Sequence, residues 1–117
     1  MLVDVRKNAY SQQRAFCKGA LRTLCEKVGI AYCHVPALGV PADRRQGLDN
    51  AAAYEALFSY YDEYVLPRQT TEIRRVGEML KRSAGALLCF EADACECHRG
   101  RLSKVLAEQT GLSEVHL

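Results

Sequence analysis

The sequence predicts an α/β fold: an open, mainly parallel sheet of about four strands flanked by helices, Rossmann-like and three-layered. Three observations carry that expectation. Short β-rich or apolar runs alternate along the chain with segments whose apolar residues recur at helical spacing. One run, Ala86-Leu87-Leu88-Cys89-Phe90, is uninterrupted apolar sequence between Gly85 and Glu91, the pattern of a parallel strand covered on both faces. The 117 residues, 49% hydrophobic, suffice for one sizeable core, so one domain over 1–117 is expected.

Leu2-Val3-Asp4-Val5 opens the chain as a β-rich run. A helix follows, because Cys17, Ala20, Leu21, Leu24, Cys25 and Val28 fall on one stripe and Gly29 stops it. This gives Cys17 and Cys25 a plain structural reading. Ala31-Tyr32-Cys33-His34-Val35 is the second strand, ended by Pro36. Residues 36–49 show no periodicity and hold two of the three prolines, a connection long enough to be a lid or a mobile segment. Asp49 and Asn50 offer capping oxygens to a second helix, in which Tyr54, Leu57, Phe58, Tyr61 and Val65 share a face and which Pro67 ends. A third helix starts near Thr70, turns Ile73, Val76 and Leu80 inward, places Lys81 and Arg82 where the dipole favours cations, and stops by Gly85. After the apolar strand and the loop 91–98, a fourth helix carries Leu102, Val105 and Leu106 to Gly111. Ser113–Leu117 is read as a final strand. Such alternation builds a parallel sheet with right-handed crossovers.

With 16 Lys and Arg against 14 Asp and Glu, the net charge of +2 gives no global reason to expect a nucleic acid or a membrane as partner. Six cysteines would suit a disulfide framework outside the cell, but residues 1–6 are too short and charged for a signal sequence. No apolar run approaches the roughly 18 residues needed to span a bilayer. A reducing, cytoplasmic compartment is expected, with the cysteines as thiols.

In open parallel sheets ligands bind beyond the C-terminal ends of the strands, which selects Asp4 and Arg6, Pro36 to Gly39, Glu91 to Arg99, and His116. Asp4 and Arg6 share strand parity, so they form either a structural ion pair or an anion clamp in which Asp4 orients Arg6 or acts as a base. Cys95-Glu96-Cys97-His98-Arg99 is the densest reactive cluster and precedes a helix, whose free N–H groups favour a thiolate or a bound anion. Cys97 would be the activated thiol, or a loop thiol without a role. A zinc or iron ion could instead use Cys95, Cys97 and His98, with Cys89, Glu91 or His34 added from neighbouring strand ends, although C-x-C-H is only part of a structural zinc set. Cys95 to Arg101 also fits an oxyanion-cradling C-x5-R loop, weakened by Glu96. The arginines at 44, 45, 68, 74, 75, 82, 99 and 101 are either a basic patch or ordinary solvated helix faces. No glycine-rich phosphate loop is present.

Leu2-Val3-Asp4-Val5-Arg6, then Tyr32-x-His34-x-Pro36-x-Leu38-Gly39, then Leu88-Cys89-x-Glu91-x-Asp93, Cys97-His98-Arg99 and Val115-His116-Leu117 together resemble the bacterial and archaeal family called domain of unknown function 488. The resemblance covers nearly the whole chain. It implies an α/β fold with a polar cluster at the strand ends, and it names no reaction. Members carry an additional strand and helix with a Gly-His turn before the Asp-x-Arg strand. This chain opens on that strand, so either a shortened member or one without its first unit is expected, with an exposed sheet edge that drives self-association.

The function these readings converge on is an enzyme binding a small anionic or nucleotide-like ligand. Cys97, His98, Asp4 and Glu91 would be catalytic, and Arg6, Arg99, His34 and Gly39 would bind the ligand. The rival is a non-catalytic module that binds a protein or nucleic acid through the 36–49 loop and the open edge.

Overall fold

In the computed structural model, which describes residues 1–45, 47–90 and 97–117, three short parallel strands carry the fold. They are β1 (Leu2–Asp4), β2 (Tyr32–His34) and β3 (Ala86–Leu88), in the order β2-β1-β3. Leu2, Val3 and Asp4 pair with Tyr32, Cys33 and His34 on one side and with Ala86, Leu87 and Leu88 on the other. Helix α1 (Lys18–Lys27) connects β1 to β2, α2 (Ala51–Tyr60) and α3 (Thr70–Arg82) connect β2 to β3, and α4 (His98–Thr110) follows. The chain steps from β1 to one neighbour and then crosses to the other, so the winding reverses between β1 and β3. A switch of this kind leaves a crevice at the strand ends.

Alternation along β1 divides the sheet into two different faces. Val3 and Val5 are wholly buried in one core with Leu57, Tyr61, Ile73, Val76, Leu102 and Leu106, contributed by α2 to α4 and the turn after α2. Leu2, Asp4 and Arg6 have the opposite parity, and the register sets Tyr32, His34 and Leu88 beside them. On the core side the predicted helices hold. Asn50 caps α2 by accepting the Ala53 N–H at 2.9 Å. The helix widens into a π-type turn at Tyr61–Val65 and ends in a tight turn containing Pro67 at Leu66–Arg68. In α3, Ile73 and Val76 are buried, Lys81 and Arg82 occupy the last turn, and Gly77 faces Thr110 of α4. A Cβ at Gly77 would lie 3.3 Å from the Thr110 methyl, so its absence lets the two helices approach.

Four expectations change. Residues 111–117 form no strand and are exposed throughout, so the described residues hold three strands rather than about four. An alternating run becomes a strand only where it meets a sheet edge, and this one instead follows Gly111, whose φ of 74° turns the chain at the end of α4. The apolar stripe of α1 is largely uncovered: only Cys25 is buried in the helix, while Leu24 and Val28 are 48% and 70% exposed. Here β2 is an edge strand, and among the described residues half of the stripe is left uncovered. β3 is likewise an edge strand and only partly buried, with Ala86 exposed, because among the described residues no strand lies on its outer side. The 36–49 connection, read as irregular, opens on a 3-10 turn at Pro36–Leu38, and Leu38, Gly39 and Val40 are buried. Gly39 lies against the backbone of Lys7, where a Cβ would come within 2.3 Å of the amide nitrogen.

Candidate functional site

The end of β1 carries a fully buried ion pair. Arg6 donates from Nε to Asp4 Oδ1 at 2.7 Å and from Nη2 to Oδ2 at 2.6 Å. Its own backbone N–H donates to Oδ1 at 3.2 Å, and the Tyr32 hydroxyl donates to Oδ2 at 2.5 Å. Burial by itself would push the Asp4 carboxyl up, but these donors outweigh it and hold the group below the usual carboxylate range. The Tyr32 hydroxyl is pushed up by burial and by the adjacent Asp4 charge. His34, opposite Asp4 in the register, donates from Nε2 to the Arg6 carbonyl at 2.7 Å. His34 and Gly39 thus both bear on the segment just beyond β1, one through the Arg6 carbonyl and the other against Lys7.

Across the sheet, Cys89 just beyond β3 meets Cys97 and His98 at the start of α4. The three are 6%, 3% and 2% exposed, and their ligand atoms all lie within 4.8 Å of one another. Cys97 is the N-cap of α4, and its sulfur accepts the Arg99 N–H at 3.3 Å. His98 Nε2 faces the Val5 carbonyl at 3.2 Å and so must carry the proton. That leaves Nδ1 as the lone-pair nitrogen, 3.4 Å from Cys89 Sγ and 3.8 Å from Cys97 Sγ. The Tyr61 ring meets the imidazole edge-on with centroids 5.1 Å apart, and its hydroxyl is anchored on the Leu38 carbonyl at 2.8 Å. A hydrogen bond from Cys97 lowers the Cys89 thiol's pKa; burial opposes this and His98 reinforces it.

One residue of each group, Arg6 and Cys89, borders the crevice at the winding reversal. A cavity of about 710 Å³ is lined by Arg6, the 10–13 segment, Phe16 and Leu88 to Phe90, a volume suited to a small molecule. Two guanidinium groups flank the half-exposed Phe90 ring, Arg45 at 4.8 Å and Arg6 at 5.6 Å from its centroid. A second cavity, of about 700 Å³, lies between α3, β3, α4 and residues 112–117, away from the thiols.

The predicted site residues therefore separate. Asp4, Arg6, His34, Cys97 and His98 gather around the β1 and β3 ends, joined by Cys89. Arg99 borders the second cavity, because one helical step of about 100° turns it away from His98. Arg101 pairs with Asp62 at 2.9 Å on the surface, and the Cys95 end of the C-x5-R run lies outside the described residues. Arg75 likewise pairs with Glu72 at 2.7 Å on the α3 surface. His116 sits in the exposed tail beside Glu114. Glu91, Asp93, Cys95 and Glu96 lie outside the described residues. Tyr32, Tyr61 and Arg45 are not assigned to the site by the sequence, Arg45 being read only as one of a basic patch or a solvated face. Tyr32 had a usable signal, since it shares parity with His34 and so with Asp4; Tyr61 read only as core.

No helix among the described residues is long and apolar enough to cross a membrane. Neither a curated protein nor a solved structure matches the chain. The family model Domain of unknown function DUF488 matches residues 1–106, which take in both strand-end groups and most of α4. The strand-end Asp4-x-Arg6, the Pro36-x-Leu38-Gly39 turn and Cys97-His98-Arg99 accordingly stand here as features of a chain that belongs to the DUF488 family.

Proposed function

We propose that this protein is an enzyme that binds a small anionic, nucleotide-like ligand in the cavity at the C-terminal ends of β1 and β3. The observation that carries this reading is the meeting of Arg6, Phe90 and Cys89 on one cavity wall, so that a cation, an aromatic face and a buried thiol address the same space. Arg6 holds the anionic group, Phe90 supports a flat ring, and Asp4 and Tyr32 fix the guanidinium. Asp4 is an orienting group here rather than a base, because its carboxylate is committed to Arg6 and Tyr32. Cys89, Cys97 and His98 supply the reactive centre, in which the Val5 carbonyl holds Nε2–H and leaves Nδ1 facing the two sulfurs.

The test is thermal-shift and calorimetric titration with inorganic phosphate and with a nucleoside monophosphate. Binding to the wild type that Arg6→Gln abolishes and Cys97→Ser alters is expected. Cys97→Ser leaving every ligand-dependent property unchanged would overturn the reading.

One observation favours a second role for another surface. The open edge of β2 and the exposed apolar residues Leu24, Val28 and Ile30 support pairing with a second copy of the chain. Sedimentation across micromolar concentrations should show a dimer that Leu24→Glu weakens, and a strictly monomeric profile refutes it.

A further inference from the structure

The geometry points to a zinc site formed by Cys89 Sγ, Cys97 Sγ and His98 Nδ1. It rests on the reading of this cluster as the reactive centre and gives that centre its chemistry.

Tetrahedral zinc, with Zn–S near 2.3 Å and Zn–N near 2.05 Å, requires sulfur and nitrogen ligands about 3.6 Å apart. The two sulfur to Nδ1 distances, 3.4 and 3.8 Å, bracket that value. All three ligand atoms fall within 4.8 Å, and a zinc ion would draw two sulfurs to about 3.8 Å. The imidazole is already in the required tautomer, since Nε2–H donates to the Val5 carbonyl and leaves Nδ1 facing the sulfurs. Metal-binding histidines are commonly oriented in this way by a carbonyl on their other nitrogen. Cys97 Sγ also accepts an amide N–H at the start of a 13-residue helix, which fixes the sulfur beside Nδ1.

Charge balance supports the same assignment. Binding one Zn²⁺ displaces a proton from each thiol, and two thiolates with a neutral imidazole then give a site of zero net charge. A buried site can hold such a set without an uncompensated charge. Two thiolates and an imidazole suit zinc better than the hard cations, which prefer oxygen. Because Cys89 also lines the Arg6 cavity, the ion would lie at the wall where the proposed anion binds, and its Lewis acidity would act on that ligand.

The experiment uses the full chain, stripped with a chelator under reducing conditions and titrated with Zn²⁺ against a competing chromophoric chelator. One zinc per chain is expected. Cys89→Ser and His98→Ala should weaken binding by at least about 100-fold, and Cys17→Ser should leave it unchanged. Because serine also caps a helix start, Cys97→Ser tests the third ligand with α4 still capped and should weaken zinc in the same way; the wild-type protein is also loaded with Co²⁺. Sulfur-to-cobalt charge-transfer bands with tetrahedral d–d absorption support the site. Absence of stoichiometric zinc, or a cobalt spectrum without sulfur ligation, overturns it. The phosphate titration remains a separate readout: zinc bound with no phosphate response sinks the ligand reading alone, and phosphate bound without zinc sinks the metal site alone.

Discussion

Replacing Arg6 with leucine tests whether the Asp4–Arg6 pair holds the end of β1. Asp4 is inaccessible to solvent and Arg6 nearly so, and the substitution removes two charge-assisted hydrogen bonds while leaving the Arg6 N–H and Tyr32 contacts in place. Breaking a buried pair by removing one partner costs about 3–5 kcal/mol. The lower end is expected, because Tyr32 still donates and the cavity beside Arg6 can admit water. Small domains are stable by roughly 5–15 kcal/mol, so the variant should still fold. Its pH dependence is the sharper signature. In the wild type the Asp4 pKa lies below its ordinary value of 3.8, so the pair's contribution is complete above that value and fades as pH falls through the folded pKa. Without the guanidinium, burial dominates and raises the carboxyl, and stability then falls as pH rises through the new folded pKa. The gap between the two proteins should be about 3 kcal/mol near pH 7 and shrink toward about pH 3 in urea unfolding followed by circular dichroism. A variant within about 0.5 kcal/mol of wild type at neutral pH, or a gap that does not change with pH, refutes the argument.

Three further outcomes follow from particular contacts. Gly39→Ala drives a Cβ to 2.3 and 2.7 Å from the Lys7 N and Cα and should cost at least about 3 kcal/mol, whereas Gly19→Ala, with nothing within 4 Å, should stabilise α1 by about 0.5 kcal/mol; paired urea melts compare them. Tyr61→Phe leaves the ring against His98 but strips the buried Leu38 carbonyl of its donor, for a loss of about 1–2 kcal/mol and a lower Tm by calorimetry. Val115→Pro should change stability by less than about 0.5 kcal/mol, since residue 115 lies in an exposed irregular segment; a loss of several kcal/mol would restore the predicted fourth strand.

What could be read beforehand was whatever depends on local pattern. Ile73, Val76 and Leu80 with Lys81 and Arg82 behind them define α3 without reference to anything distant, and the i, i+2 spacing of Asp4 and Arg6 already places them on one face. The density of Cys97-His98 marked one half of the thiol cluster. Cys89 reads only as an optional added ligand, because in an unbroken apolar run it also looks like a core hydrophobe; its place in the cluster depends on β3 ending one residue earlier, beside the start of α4. Arg99 misled through adjacency in sequence, while Arg45 reaches Phe90 from a segment 45 positions away. Burial likewise depends on partners. The stripes of α1 and residues 113–117 have valid periodicities, but neither finds a complete surface to cover it.

The position where the two clusters meet is Val5. Its side chain is sealed in the core, its N–H donates to the Leu88 carbonyl at 3.0 Å, and its carbonyl receives His98 Nε2. Asp4 and Arg6, on either side of it, hold the ion pair on the opposite face. One extended residue therefore ties β1 to β3 through its backbone and fixes the imidazole tautomer, while its neighbours fix the guanidinium. A shift of β1 by one residue would exchange the faces, burying the charged pair among Leu57, Ile73 and Leu102 and removing the carbonyl from His98. The register that minimises buried charge in the core is thus the same register that assembles the site, so selection for folding alone already positions the groups on which the proposed chemistry depends.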